Sequence, residues 1–595
     1  MIRLAWLAML LGLALRLVSC AAHDQPRGDV VLDVGVARSL VAGEGFGAGY
    51  ERGVVRVEGD APIPVQGLAD QHPPLWPLIG AALTPLAGSP FAALQLASLL
   101  AGLAVVLLTM RMADRLSEGV DRVPDGVGPL AGALTAGTFV AIDSAGNGSL
   151  YALQAALVLG LVELLARRRP GWLAPGLILG ALCALNHQAL VLLPLPLVVR
   201  VAGACPGKRL RPLLGGLATI GVACLCQVPW GLRNIEHFGD PMFSVNGMYL
   251  KYWAGLELSF AVEGGQPVMR LMGELGTLDI LRAMLGFAPM NGLYLFGTGL
   301  LVWPGLLGLA LVATPGLAWT AWERRDRRLL GLLAATALLL AVAWLWPATK
   351  LRYLVTLQPL VTLLGITAAV RTRARWEGAL TVLLCVGWVG LLVATLDDAT
   401  GTAADARPLR FVWLAAGGAG ALVLPVLARR GFGRAGGGLD GGLLVLVSGL
   451  PVVLVAALAV ALGPLAERGS GTAYHGTWFW PDVFGKHHEA QAAALDGPWQ
   501  RAAEAATEAG VTQLAGPIEM LAFASPELVE LPALAPDVFV PSLQALLDAG
   551  RVDGLVYVGE PDGELVVPFP HRFDELVTIE AEDGSRVLVL RRRGL

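Results

Sequence analysis

The chain has 595 residues, of which 55% are hydrophobic and 15% charged, and its mean hydropathy is +0.64. Soluble domains carry roughly a quarter charged residues, so this composition excludes an ordinary soluble globular protein and indicates an integral membrane protein. The net charge of −4 conceals an asymmetry: from Gly463 onward there are 20 Asp and Glu against 9 Lys and Arg, and the remainder holds 27 acidic and 34 basic residues. That division predicts a basic membrane domain over residues 1–463 and a soluble acidic domain over 464–595. No basic patch with interleaved aromatics is present, so nucleic acid is set aside as a partner. The six cysteines all precede the acidic domain and imply no disulfide framework in it.

The first apolar run, MIRLAWLAMLLGLALRLVSCAA, carries Arg16 late in its core. That charge argues for a retained first helix over a cleaved signal peptide. A span needs roughly 20 apolar residues. Candidate spans fall near 4–22, 90–110, 128–143, 149–166, 172–187, 188–200, 212–229, 292–313, 329–346, 353–370, 377–396, 411–428 and 441–463, about thirteen in all. Cytoplasmic loops collect Lys and Arg. The clusters Arg111/Arg115, Arg167–Arg169, Lys208/Arg209/Arg211, Arg324–Arg328, Arg371–Arg375 and Arg429–Arg434 occupy alternate loops. All six fit a polytopic helical protein of the cytoplasmic membrane with its N-terminus inside and its C-terminal domain outside. The outer loops are then 23–89, 230–291 and 346–353.

In the first outer loop, Asp29 is placed to cap a helix beginning at Val30, and Gly43 to end it. Val30, Val34, Ala37 and Val41 recur at helical spacing, the pattern of an interfacial helix with Asp33 and Arg38 solvated. LWPLIGAALTPLAG (75–88) is apolar but too short and proline-broken to span; it either dips into the membrane or extends the next span. The acidic domain reads as α/β, with helices over 497–510 and 541–549 and a strand over 554–559. Two further strands in 575–593 flank an Asp-Gly turn.

Candidate chemistry lies at the outer ends of the spans. Asp29, one short turn beyond the first span, is placed either as a general base or as a helix cap. Asp143, in AIDSAGNGS, is either a second active-site acid or a cap. Asp70 and His72 precede Pro73-Pro74, which hold the chain extended, and Trp76 is a natural interfacial anchor. Asp70 and His72 can bind a phosphate, a sugar or a metal, or form a satisfied loop pair. Arg233 in PWGLRN and Lys350 and Arg352 in TKLRYL are positive charges on the outer side, against the bias. An anionic lipid head group explains them, Arg offering a bidentate fork for phosphate; general snorkelling to lipid phosphates is the alternative.

Taken in order, these features resemble the GT-C superfamily of integral membrane glycosyltransferases. They are most similar to its protein O-mannosyltransferase, lipid A aminoarabinose transferase and RgtA/B/C/D-like branch. GDVVLDVGVARSLVAGEGF supplies Gly28, Asp29, Ala37, Leu40, Gly43 and Gly45 of the branch's first-loop pattern. HPPLWP (72–77), PW..RN (229–234) and the RYL element (Arg352, Tyr353, Leu354) match the later ones, over most of residues 10–370. Val30 stands where the branch often has a second acid, so a metal site on an acidic pair is not expected, although a divalent cation is left open. The resemblance implies a GT-C fold with a C-terminal α/β extracytoplasmic domain. It also implies a polyprenyl-phosphate sugar donor, a glycan, lipid or protein acceptor, and catalysis by Asp29 with Asp143. Asp70, His72, Arg233, Lys350, Arg352 and Tyr353 would then bind substrate. A transporter or flippase of lipid-linked saccharides is the alternative, but its charges belong mid-span and its halves often repeat, and neither feature is evident.

Overall fold

The computed structural model describes residues 2–23, 26, 29–47, 50–52, 73–118, 126–167, 171–205, 207, 209–238, 241, 285, 306–345 and 353–371 of the membrane part. In the acidic part it describes 501–516, 527–530, 543–544, 547–548, 552–559, 569–580 and 586–593. The helices are α1 (Ile2–Ala22), α2 (Asp29–Ala42), α3 (Leu75–Ala87), α4 (Pro90–Ser117), α5 (Val127–Ala136), α6 (Phe139–Gly146), α7 (Tyr151–Leu165) and α8 (Leu173–Leu185). A 3-10 turn (His187–Leu192) leads to α9 (Leu195–Ala202) and α10 (Leu210–Phe238), and then come α11 (Leu306–Arg324), α12 (Arg327–Leu345) and α13 (Leu354–Arg371). Helix α14 runs over 501–508.

Among the described residues, three helices are long and apolar enough to cross a membrane: Pro90–Ser117, Leu210–Glu236 and Arg327–Leu345. Leu107 on α4 and Leu225 on α10 are 52% and 68% exposed. Leu107 belongs to an exposed row with Leu100 and Leu103, and Leu225 to one with Leu214, Leu217, Val228 and Leu232. Contiguous apolar rows of that length on helices long enough to span suit lipid and mark a membrane protein. Two expected spans are broken. Residues 128–143 form α5 and α6 on either side of Gly137 and Thr138, and 188–200 divides into the 3-10 turn and α9 at Leu193-Pro194. The run at 75–88 does not extend the next span. It is a separate helix, ended by Gly88 at φ +85°, with Ser89 capping α4 through Ala92 N–H. The expected spans at 377–396, 411–428 and 441–463 lie outside the described residues, as does most of 292–313.

Helices approach closely where glycine permits. Gly176 and Gly180, one turn apart on α8, face α10, where a Cβ on Gly180 would stand 2.6 Å from Cys226 Cβ. The Gly180 carbonyl accepts from Gln227 Nε2 at 2.8 Å. Small residues four apart and an interhelical hydrogen bond are how helices associate where lipid removes the hydrophobic driving force.

One mixed sheet has the order β1-β3-β2-β4-β6-β5, with β1 Tyr50–Arg52, β2 Gln513–Gly516, β3 Glu527–Glu530, β4 Gly554–Gly559, β5 Phe573–Glu580 and β6 Arg586–Arg592. The first three pair in parallel, β2 pairs β4 in parallel, and β4-β6-β5 is antiparallel. The expected strands at 554–559 and within 575–593 are present; the turn at Asp583-Gly584 lies outside the described residues. Strand β1 comes from the segment between α2 and α3, about 478 residues earlier in the chain than its partner β3 (Tyr50 pairs with Leu528).

Helix α2 differs from the expected interfacial helix. It starts at Asp29, one residue earlier than predicted. Gly43, at φ +80°, ends it in a Schellman motif: Glu44 N–H donates to Ser39 O at 2.9 Å and Gly43 N–H to Leu40 O at 3.2 Å. Residues 30–37 are all buried. Val30 and Val34 join the core of the membrane helices, whereas Val31, Leu32 and Val36 join the core beneath the sheet with Ala502, Ala506, Leu514, Val556 and Val589. Asp33 is 2% exposed, so it is not the solvated neighbour expected. The spacing of Val30, Val34 and Ala37 revealed one apolar face; the second became apparent only when the sheet was in place.

A candidate active site at one end of the helix bundle

Ion pairs define one end of the bundle. Glu163, near the end of α7, is buried and pairs with Arg115 at the end of α4 and with Arg328 Nε at the start of α12, the latter at 3.1 Å. Arg371, the last residue of α13, donates to Asp326 Oδ2 at 3.2 Å and to Leu116 O at 3.0 Å. Arg327 reaches Arg167 O at 3.3 Å. Four of the basic clusters thus meet at one end, where carboxylates compensate part of their charge.

The opposite end collects the helix termini that carry the candidate residues. Gln95, near the start of α4, donates through Nε2 to Cys20 O (3.2 Å), His23 O (3.1 Å) and Gly146 O (2.7 Å). One amide therefore ties the ends of α1 and α6 to α4, satisfying carbonyls that a helix terminus leaves without partners. His23 Nδ1 donates to Ser19 O at 2.8 Å. Trp76, expected as an interfacial anchor, is fully buried, and its indole N–H donates to Gly148 O at 3.2 Å. Gly148 sits at φ +67° with its Cα side against the α4 backbone, where a Cβ would meet Gln95 N at 3.0 Å.

Asp29 opens α2, six residues beyond His23. Asp143 stands inside α6, three residues before its last residue Gly146, and so does not precede a helix as an N-cap would. Arg233 lies in the last turns of α10, with its guanidinium carbon 4.3 Å from the centre of the Trp230 ring and Nη1 donating to Asn234 Oδ1 at 3.0 Å. Phe46, just beyond α2, meets Trp230 edge-on at 5.5 Å. The aromatic pair therefore links the exit of α2 to the arginine. Tyr353 precedes α13, and its ring lies 5.7 Å from that of Tyr151 at the start of α7; Thr356 Oγ1 donates to Tyr151 O at 3.4 Å. The structure thus brings Asp29, Asp143, Arg233 and Tyr353 to the same end through their helices. Asp70, His72, Lys350 and Arg352 lie outside the described residues. Burial holds the Arg38 guanidinium below its usual range. Among the described residues, no group of three His, Cys, Asp or Glu is placed to hold a metal ion.

No family model matches the sequence, and no curated protein matches it. Among solved structures, ArnT from Cupriavidus metallidurans bound to undecaprenyl phosphate superposes with a TM-score of 0.54 at 16% identity, over 99% of this chain and 98% of that one. The same protein in the apo state gives 0.54 at 15% identity, over 96% of each chain. The chain has the GT-C fold. An oligosaccharyltransferase from Archaeoglobus fulgidus aligns over 92% of this chain and 69% of its own, with a TM-score of 0.46 at 10% identity.

Within this fold, sequence reasoning passed over two side chains, Gln95 and Glu163, and left the place of a third, Arg16, unexplained. Gln95 resembled any polar residue in an apolar run. The close spacing of helix ends around residues 20, 95 and 146 gave no local signal. Arg16 did give one, as a charge inside a span, and its place is now explained. Its Nη2 donates to Thr135 O at 3.0 Å and to Ala136 O at 3.5 Å, at the end of α5. The break between α5 and α6 leaves those carbonyls without helical partners, and a cation suits the negative end of a helix. Glu163 was hidden because its two arginines, Arg115 and Arg328, come from different clusters.

Proposed function

We propose that the chain is a glycosyltransferase that moves a sugar from a polyprenyl-phosphate-linked donor to a hydroxyl of a glycan, lipid or protein acceptor at the outer membrane face. The observation that carries this reading is the likeness of fold to an ArnT bound to undecaprenyl phosphate, extending over almost the whole of both chains. Support comes from the cation at Arg233, which is fixed on the Trp230 ring at the end of the bundle where α2 begins. The opposite end carries the converging arginines, which on the positive-inside rule faces the cytoplasm. The candidate end then faces outward.

The donor enters laterally from the bilayer, and its phosphate meets Arg233 together with Lys350 and Arg352. Asp29 takes the proton of the acceptor hydroxyl while that oxygen attacks the anomeric carbon. The bond from the anomeric carbon to the phosphate oxygen breaks, and the electron pair leaves with the lipid phosphate, whose added negative charge the arginines stabilise. A single displacement inverts the anomeric centre. Asp143 is the second acidic group of the site, and Asp70, His72 and Tyr353 contact the sugars.

The test is the purified chain reconstituted in lipid with polyprenyl-phosphate sugars and a panel of acceptors. Transfer, or slow donor hydrolysis, supports the reading. Passage of the lipid-linked sugar across the bilayer without bond cleavage would replace it with a flippase.

A further inference from the structure

The soluble domain shares a core with the helix that carries the proposed base. Val31, Leu32 and Val36 of α2 lie in one apolar cluster with Ala502, Ala503 and Ala506 of α14 and with strand residues Leu514, Val556, Ile579, Val587 and Val589. On another face of α2, Val30 and Val34 belong to the core of the membrane helices. Gly80 of α3 admits the approach on that side; a Cβ there would meet Leu94 Cδ2 at 2.9 Å and Ala37 Cβ at 3.1 Å. Beyond α2 the chain adds β1 as the edge strand of the same sheet, in register Tyr50–Leu528, Glu51–Val529 and Arg52–Glu530.

A 14-residue helix is marginal alone in water and is fixed by what buries it. Here two cores bury it from opposite sides, and one of them belongs to the acidic domain. We propose that this domain acts as a clamp, with Leu32 and Val36 as positioning residues that hold Asp29 at the reaction centre. This deepens the glycosyltransferase reading and rests on it. Displacement by about 1 Å is enough to cost a hundredfold in rate when reacting groups must be aligned, so a rigid second support on α2 has a chemical purpose. Asp33, buried on the same helix, shows that the fold keeps even a carboxylate of α2 out of water.

The experiment uses the full chain in lipid nanodiscs and two readouts, amide hydrogen exchange and transfer kinetics. Val36→Ala removes α2 volume from the shared core, and Ala506→Phe overfills it from the domain side. Each is expected to speed exchange over residues 30–42 by about tenfold or more, with α4 unchanged, and to lower kcat by a similar factor while the donor KM stays within about twofold. Leu547→Ala, in the separate apolar cluster of Leu543, Val552, Leu555 and Phe573, is the control and is expected to leave α2 exchange at the parent rate. Unchanged α2 exchange in the first two variants overturns the clamp, as does faster exchange with unchanged kcat. Equal loosening by Leu547→Ala overturns it too, since the effect would then be general. If the parent transfers no sugar from any donor, the glycosyltransferase reading fails; the exchange data still decide whether the sheet holds α2.

Discussion

Gln95→Leu is the perturbation whose effect follows most directly from the geometry. Leucine has nearly the volume of glutamine, so no cavity forms, but both amide N–H groups disappear. Three carbonyls then lose their donor: Cys20 O at 3.2 Å, His23 O at 3.1 Å and Gly146 O at 2.7 Å. Each lost hydrogen bond is worth about 1 kcal/mol net, and a carbonyl left dry costs about 1–3 kcal/mol. With two N–H groups shared among three acceptors, the expected loss is about 2–4 kcal/mol, roughly thirty- to eight-hundredfold in the folding equilibrium. The assay is the unfolding equilibrium in mixed micelles, comparing Gln95→Leu with the parent. Transfer should fall as well, because the end of α1 leads in six residues to Asp29. A Gln95→Leu protein within about 0.5 kcal/mol of the parent would refute the claim that this amide latches α1 and α6 to α4.

Five further outcomes follow. Gly180→Ala pushes a methyl against Cys226 and is expected to cost about 1–3 kcal/mol. Gly160→Ala on α7, where the nearest atom is Ile178 Cδ1 at 3.8 Å, is expected to be neutral or slightly stabilising in the same unfolding assay. Glu163→Gln strands Arg115 and Arg328; since both arginines are about a quarter exposed, about 2–3 kcal/mol is expected, with part of the loss recovered at high salt. Trp230→Ala removes the face on which Arg233 rests and should raise the donor KM by about 5–30-fold, the equivalent of about 1–2 kcal/mol, with the fold intact by circular dichroism. Asp548 accepts from Gln544 and Arg572, both at 2.7 Å, which hold its carboxyl below the usual range. A lowered folded value means stability that is present above the ordinary carboxylate pKa of about 4 and lost as pH falls through the folded value. Asp548→Asn should therefore flatten the acid limb of the domain's melting profile.

What was legible in the sequence is what short range encodes. Hydropathy and the alternation of arginine gave the membrane bundle, and at least four of those clusters do converge in space. Val-rich runs gave β4, β5 and β6 of the acidic domain, whereas the short strands β2 and β3 carried no such run. Gly43 gave the end of α2, because only a left-handed residue closes that motif readily. Three things depended on distant partners and were not legible. Asp33 read as solvated because the sheet that covers α2 comes from residues 513 and beyond. Trp76 read as an interfacial anchor because its acceptor, Gly148, lies 72 residues away. Tyr50–Arg52 carried no strand signal of its own; its partner Glu527–Glu530 makes it one. Of the candidate site, the residues with a local motif (Asp29, Arg233 and Tyr353) fall at one end of the bundle, whereas the supporting Gln95 and Trp230–Phe46 contacts belong to tertiary structure alone.

The account stands on Asp29 as the base of a transfer from a polyprenyl-phosphate sugar. The most direct measurement is single-turnover transfer by Asp29→Asn in lipid, alongside binding of undecaprenyl phosphate to the same sample. An amide of the same size cannot take the acceptor's proton but leaves untouched the arginines proposed to bind the phosphate. The expected result is transfer slower by about a hundredfold or more with lipid-phosphate binding unchanged. Transfer at the parent rate would contradict the account.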